Sequence, residues 1–151
     1  ASGADYAEYM TKADGCGTIA KGAVCGVDAD GKLTDVFANA HSFVIKSTDP
    51  SYVGGDVWSI ASTDSDGNQT TLEGDALETA RQRVDRIAFS GQVPCTITGT
   101  TKVGDFVIAQ AKSDGIEAVA VTSPTFEQYS VAIGKVWRLG SGQHTVSVKI
   151  G

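Results

Sequence analysis

Gly104-Asp105-Phe106-Val107-Ile108-Ala109 leads through Asp114-Gly115 into Ile116-Glu117-Ala118-Val119-Ala120-Val121. Two apolar runs joined through an Asp-Gly pair are the sequence form of a β-hairpin, because glycine supplies the positive φ of a tight turn between strands. The same device occurs earlier, where Ala23-Val24-Cys25-Gly26-Val27 passes Asp28-Ala29-Asp30-Gly31 and resumes at Lys32-Leu33. Each hairpin is followed by another apolar strand, Ser42-Phe43-Val44-Ile45-Lys46 in one case and Ser130-Val131-Ala132-Ile133-Gly134-Lys135-Val136 in the other. The pattern reads as a weak internal pseudo-repeat, two hairpin units sharing a core. In a final segment, His144-Thr145-Val146-Ser147-Val148-Lys149-Ile150, Val146, Val148 and Ile150 share one face, as in a half-buried closing strand. With 18 Gly and 3 Pro punctuating short apolar segments, the expected fold is mainly β, one compact domain over 1–151.

One segment departs from the period of two. Over 75–88 the apolar residues Leu77, Ala80, Val84 and Ile87 step by three and four, and the spacing predicts one substantial amphipathic helix. Asp75 and Glu78 near its start and Arg81, Arg83 and Arg86 toward its end complement the helix dipole. Such a short helix is marginal alone, so its stripe is expected to bury against the sheet or a partner copy. The preceding 62–71 is polar and rich in Gly and Asp, and reads as a loop.

Charge narrows the classes of partner. Twelve Lys and Arg against 18 Asp and Glu give a net charge of −6, a field that repels phosphate backbones and anionic lipid. Neither nucleic acid nor membrane is expected as a partner. The longest apolar runs fall well short of the roughly 20 residues of a membrane helix, and no charged and apolar leader opens the sequence, so no export signal is expected. The chain starts without Met, and Ala1-Ser2-Gly3 is compatible with Met removal, a cloning remnant or a proteolytic end.

Cys16, Cys25 and Cys95 cannot all pair within one chain, and with His41 and His144 they lack the spacing of a zinc set. No metal and no cofactor is expected. Gly15-Cys16-Gly17-Thr18-Ile19-Ala20 has the shape of a dinucleotide turn, but the residues before it are not an apolar strand and Lys21-Gly22 breaks a following helix. A Cys16/His41 nucleophile pair is conceivable, although a free thiol is more often inert. Asn68-Gln69-Thr70 is a sequon that matters only after secretion.

The densest run of chemistry lies at the start: Ser2-Gly3-Ala4-Asp5-Tyr6-Ala7-Glu8-Tyr9-Met10. Asp5 and Glu8 form an acid/base pair if burial protonates one while the other stays ionised. The plainer alternative is a capping box, Ser2 with Asp5, opening a helical turn.

Ala4-Asp5-Tyr6-Ala7-Glu8-Tyr9 resembles the opening motif of the intramolecular chaperone, autoprocessing domain found at the C-terminus of phage neck-appendage, tail-spike and tail-fibre proteins. The resemblance continues, in order, through Gly31-Lys32-Leu33-Thr34-Asp35, then Ser42-Phe43-Val44-Ile45-Lys46-Ser47-Thr48-Asp49-Pro50-Ser51-Tyr52-Val53-Gly54-Gly55-Asp56. It extends to Arg83-Val84-Asp85-Arg86-Ile87-Ala88-Phe89-Ser90-Gly91-Gln92-Val93-Pro94 and Gly134-Lys135-Val136.

The resemblance implies a domain that helps a fibrous spike trimerise and then severs the peptide bond near its own N-terminus, a single-turnover, carboxylate-dependent endopeptidase. Glu8 would be the activating carboxylate with Asp5 beside it, and the cut would fall upstream of Asp5, in the vicinity of Ala1 and Ser2. The implied partners are two further copies, as a homotrimer, and the upstream fibre or spike of the same polypeptide. The implied place is the host cytoplasm during phage assembly, as the precursor of a virion tail or appendage component. Two other readings follow from the same residues: a non-catalytic trimerisation or capping module, and a host-recognition tip with Trp58, Trp137, Tyr6 and Tyr52 as aromatic contacts.

Overall fold

The structure is a computed structural model that describes residues 4–149. Its first strands are β1 (Ala4–Thr11), β2 (Val24–Val27), β3 (Leu33–Thr34), β4 (Ser42–Lys46) and β5 (Tyr52–Gly54). An outlying pair, β6 (Ile60–Thr63) and β7 (Gln69–Thr71), precedes the helix α1 (Gly74–Arg81). The second half contains β8 (Val84–Cys95), β9 (Phe106–Lys112), β10 (Gly115–Val121), the short helix α2 (Phe126–Ser130), β11 (Ala132–Arg138) and β12 (His144–Val148). The fold is mainly β, as the hairpin chemistry predicts.

The described residues form a ten-stranded sheet in the order β10-β9-β11-β12-β8-β4-β2-β3, with β1 paired to β8 and β5 beyond that path. The pseudo-repeat is visible in this order. Each hairpin, β2–β3 or β9–β10, receives a third strand antiparallel to its first, β4 on β2 and β11 on β9. The middle of the path is supplied by β12 and β8. β12, the last strand, is half-buried as its alternation predicts, with Val146 fully buried, and it lies inside the sheet with β11 on one edge and β8 on the other, so its backbone groups are paired on both sides. Ile150 lies outside the described residues.

In the first hairpin, Gly31 has φ +76° and its N–H bonds to the Asp28 carbonyl at 3.0 Å, while the Asp28 carboxylate accepts the N–H groups of Asp30 and Lys32. In the second, Gly115 already belongs to β10, opposite Lys112. Side chains alternating inward from these strands build the main core, in which Ile45, Val93, Cys95, Val107, Val136 and Val146 are at most 1% exposed. A second cluster joins Ile19, Cys25, Leu33 and Ile87, with Met10 of β1 packed on it. Burial of each large aliphatic side chain contributes roughly 1.5–3 kcal/mol.

The helix stops sooner than its spacing suggests. α1 ends at Arg81, and Val84, Asp85, Arg86, Ile87 and Ala88 are strand. The β-branched Val84 and Ile87 favour a pleated, paired environment, and here β8 hydrogen-bonds to β1 along one edge and to β4 along the other, with Ile87 and Ala88 buried. None of the helix's residues is buried and Val84 lies in β8, so the sheet of its own chain does not bury a Leu77/Val84 helical stripe. The polar 62–71 is also more ordered than a loop: it holds most of the β6–β7 hairpin, exposed at every residue from 61 to 71. Finally, residues 4–11 are strand, so Asp5 opens no helical turn, and Ser2 lies outside the described residues.

Candidate active site

The two carboxylates of the opening motif stand on β1, held between two neighbours. On one edge β5 runs parallel, placing Tyr6 opposite Tyr52 and Glu8 opposite Gly54. On the other, β8 runs antiparallel, placing Asp5 opposite Gly91 and Ala7 opposite Ala88, with a bulge that leaves Phe89 as the extra residue. Three stretches of the resemblance, distant in sequence, therefore meet at one strand. Ala1 and Ser2, the expected surroundings of the cut, lie outside the described residues.

Side chains alternate along β1, so Asp5 and Ala7 point to one face and Tyr6 and Glu8 to the other. Asp5 is 2% exposed, and its carboxylate accepts the Ser47 hydroxyl at 2.8 Å. Its main-chain carbonyl accepts the N–H of Ser51 at 2.9 Å and the Ser51 hydroxyl at 3.1 Å. Burial raises the Asp5 pKa above the ordinary carboxylate value, against the smaller, lowering influences of the Ser47 hydrogen bond and of Arg86. Asp5 thus keeps its proton more readily than an ordinary aspartate.

On the opposite face, the Tyr6 hydroxyl donates to Glu8 Oε1 at 2.7 Å. This bond raises the Tyr6 pKa above that of a free phenol, since loss of the proton would set an anion against Glu8. The Tyr6 ring stacks on Tyr52 with centroids 5.4 Å apart and planes 10° from parallel. Gly54 leaves room for this hydrogen bond, because a Cβ at that position would lie 3.0 Å from the Tyr6 hydroxyl and 3.7 Å from Glu8 Cγ.

Asp5 and Glu8 therefore do not form the mutually coupled pair that their spacing of three suggests. A spacing of three brings side chains together on a helix and divides them on a strand. The chain instead provides each with its own partner, Ser47 for Asp5 and Tyr6 for Glu8. The roles of Ser47 and Gly91 were not legible in advance, since a serine and a glycine carry no chemical signature until a strand register sets them beside a carboxylate. Gly91 has φ +100°, and a Cβ there would meet the Ala4 carbonyl oxygen and lie 2.8 Å from Asp5 Cα. That close approach seats the start of β1.

The other candidates fall elsewhere. Cys25 and Cys95 are buried, and desolvation pushes both thiols up to about 12; burial raises Cys16 as well. The Cys16 thiol approaches the Gly17 carbonyl, and His41 Nδ1 bonds Ser42, so each has a partner other than the other. Among the described residues, no group of three His, Cys, Asp or Glu is placed to hold a metal ion. Of the four aromatics, Tyr6 and Tyr52 stack together, Trp58 packs edge-on against Tyr9, and Trp137 lines a cleft with Phe106 on the β9/β11 part of the sheet.

No protein-family model and no curated protein matches this sequence. In fold, however, the chain is similar to part of the pre-mature bacteriophage phi29 gene product 12, with a TM-score of 0.58 at 16% sequence identity. The likeness covers 98% of this chain and 21% of that chain, so the whole of this sheet corresponds to about a fifth of the phage protein.

Proposed function

We propose that this chain is the C-terminal chaperone domain of a phage tail-spike or tail-fibre protein, which promotes trimerisation and then cuts itself off near its N-terminus. The observation that carries this reading is the meeting of three motif stretches on β1, around Asp5 and Glu8. The similarity of the whole fold to a segment of a pre-mature phage protein supports it.

In this mechanism Glu8, oriented by the Tyr6 hydrogen bond, accepts a proton from the water that attacks the scissile carbonyl upstream of β1. Water adds across the C–N bond, and the departing amine takes up a proton as that bond breaks. Asp5, fixed by Ser47 and Ser51, anchors the strand that emerges from the cut. Tethering makes the reaction intramolecular, which supplies up to roughly 7–11 kcal/mol of the barrier. Trimer assembly in the host cytoplasm completes the burial of the site, so that cleavage follows folding and releases the domain from a tail or appendage precursor.

A structural reading is favoured by one observation: both carboxylates are already engaged by hydroxyl donors within the chain. On that reading the motif only fixes β1 in a trimerisation or capping module. Mass spectrometry of a chain extended by its natural upstream segment separates the two. Autoproteolysis yields two fragments that meet upstream of Asp5, in the vicinity of Ala1 and Ser2, and the structural reading yields one intact chain.

A further inference from the structure

A cavity of about 360 Å³ opens at the other end of β1, where β1, β8 and the C-terminus of α1 converge. It holds about the liquid volume of a dozen waters. Lys12, Lys21, Lys46, Arg81 and Arg86 line it, with Asp85 as the lone carboxylate. Five of the chain's 12 basic residues thus face one of its 18 acidic ones, in a protein of net charge −6. The rest of the molecule is correspondingly more acidic than the total.

Part of this charge is committed. Lys46 Nζ pairs with Asp85 at 2.9 Å and donates to the Ile19 carbonyl, and Arg81 pairs with Glu78 on its own helix. Arg86 acts on the Asp5 carboxyl, partly offsetting the rise in pKa that burial causes. Lys12 and Lys21 make no side-chain hydrogen bond and no ion pair within 4.0 Å among the described residues. The Tyr9–Trp58 aromatic pair forms part of the wall. The uncommitted positive charge attracts anionic groups.

The chain itself carries an anionic element of suitable form. The β6–β7 hairpin begins two residues after Trp58 and stands clear of its own protomer. Its tip, Asp64-Ser65-Asp66-Gly67, is held rigid because Asp64 Oδ1 accepts the N–H groups of Asp66 and Asn68 at 2.9 and 2.8 Å. An isolated two-stranded hairpin is marginal in water, and of this one only Ile60 is partly buried by its own chain. A head-to-tail contact, in which every copy gives one element and takes one, forms a ring where the rotation between copies closes and an open filament where it does not.

We infer that the cationic cleft is a docking site for a second copy of this chain and receives the acidic tip of that copy's β6–β7 hairpin. This inference rests on the trimeric reading above and gives that trimer its contact. Charge complementarity would steer assembly and fix its register, and the contact would weaken with added salt.

The test is sedimentation equilibrium of the 151-residue chain at low and high salt, with three variants. One reverses the cleft (Lys12→Glu, Lys21→Glu and Arg81→Glu, which leaves two cations against four carboxylates), one reverses the tip (Asp66→Lys with Asp64→Asn, which retains the turn's acceptor), and one combines all five changes. All five sites are outside the buried core, and thermal melting confirms that the fold persists. The expected result is self-association of the unaltered chain that weakens with salt, a loss of at least about tenfold in each half-reversed variant, and recovery in the full reversal. Association that neither half-reversal alters overturns the inference and leaves the trimer standing. Loss with the cleft variant alone overturns the hairpin as occupant. A monomeric unaltered chain overturns the inference, and cleavage of the extended chain, followed separately, then decides the reading on which it rests.

Discussion

Ser47 donates its hydroxyl to the buried carboxylate of Asp5 across 2.8 Å, although 42 residues separate them in sequence. The bond ties the end of β4 to the start of β1. It also gives Asp5 a donor where burial would otherwise leave a polar group unsatisfied, a defect worth about 1–3 kcal/mol.

Asp5 should make stability depend on pH. Burial raises its folded-state pKa, so the folded protein prefers the protonated acid. That contribution is full below the unfolded-state pKa and is lost as pH rises through the folded value. Asp5→Asn is neutral throughout and retains an acceptor for Ser47. It should therefore match the unaltered protein in acid and gain on it toward neutral pH, in thermal unfolding followed from about pH 3 to pH 7. A difference independent of pH would show that folding does not shift the Asp5 titration.

Gly91→Ala should damage the site from outside it. The φ of +100° and the approach to Ala4 and Asp5 leave no room for a methyl group unless β1 moves. The expected cost is about 1–3 kcal/mol in urea unfolding, with slower cleavage in an extended chain. Gly104→Ala is the control, because its φ is also positive, at +91°, but a Cβ there meets nothing within 4 Å. It should cost less and leave cleavage unchanged.

The thiols should be spectators. With Cys25 and Cys95 held protonated to about pH 12, iodoacetamide at about pH 8 should label the folded chain only at Cys16, and slowly. Cleavage should continue after labelling. Its loss, with the fold retained, would point to a sulfur nucleophile.

Tyr6→Phe removes the donor to Glu8 while keeping the ring that stacks on Tyr52. Stability should change little, and the cleavage rate should fall further than that change explains. The phenol that titrates above the ordinary tyrosine range should vanish from the ultraviolet pH titration.

Much of this was legible in the sequence, for identifiable reasons. The two Asp-Gly hairpins and their trailing strands are local features, and the β2–β3–β4 and β9–β10–β11 units appear where the alternation places them. Residues 84–88 were misjudged because Val84 and Ile87 suit either period in so short a window, and the pairing of β8 with both β1 and β4 decided the matter. At the site, Glu8 and Asp5 could be named from their motif. Their separation onto two faces, and the contributions of Ser47, Tyr52, Gly54 and Gly91, arise from strand registers between distant segments, which no local pattern reports.

The most direct measurement compares the unaltered chain with Glu8→Gln, each carrying its natural upstream segment, with cleavage followed on a gel and assembly followed by sedimentation in the same samples. Gln keeps the size of Glu and can still accept the Tyr6 hydrogen bond, but it cannot take up a proton as the carboxylate does. If Glu8 is the activating carboxylate, the unaltered chain is cut and Glu8→Gln remains whole while assembling to the same extent. Cleavage of Glu8→Gln at the unaltered rate would contradict the carboxylate mechanism.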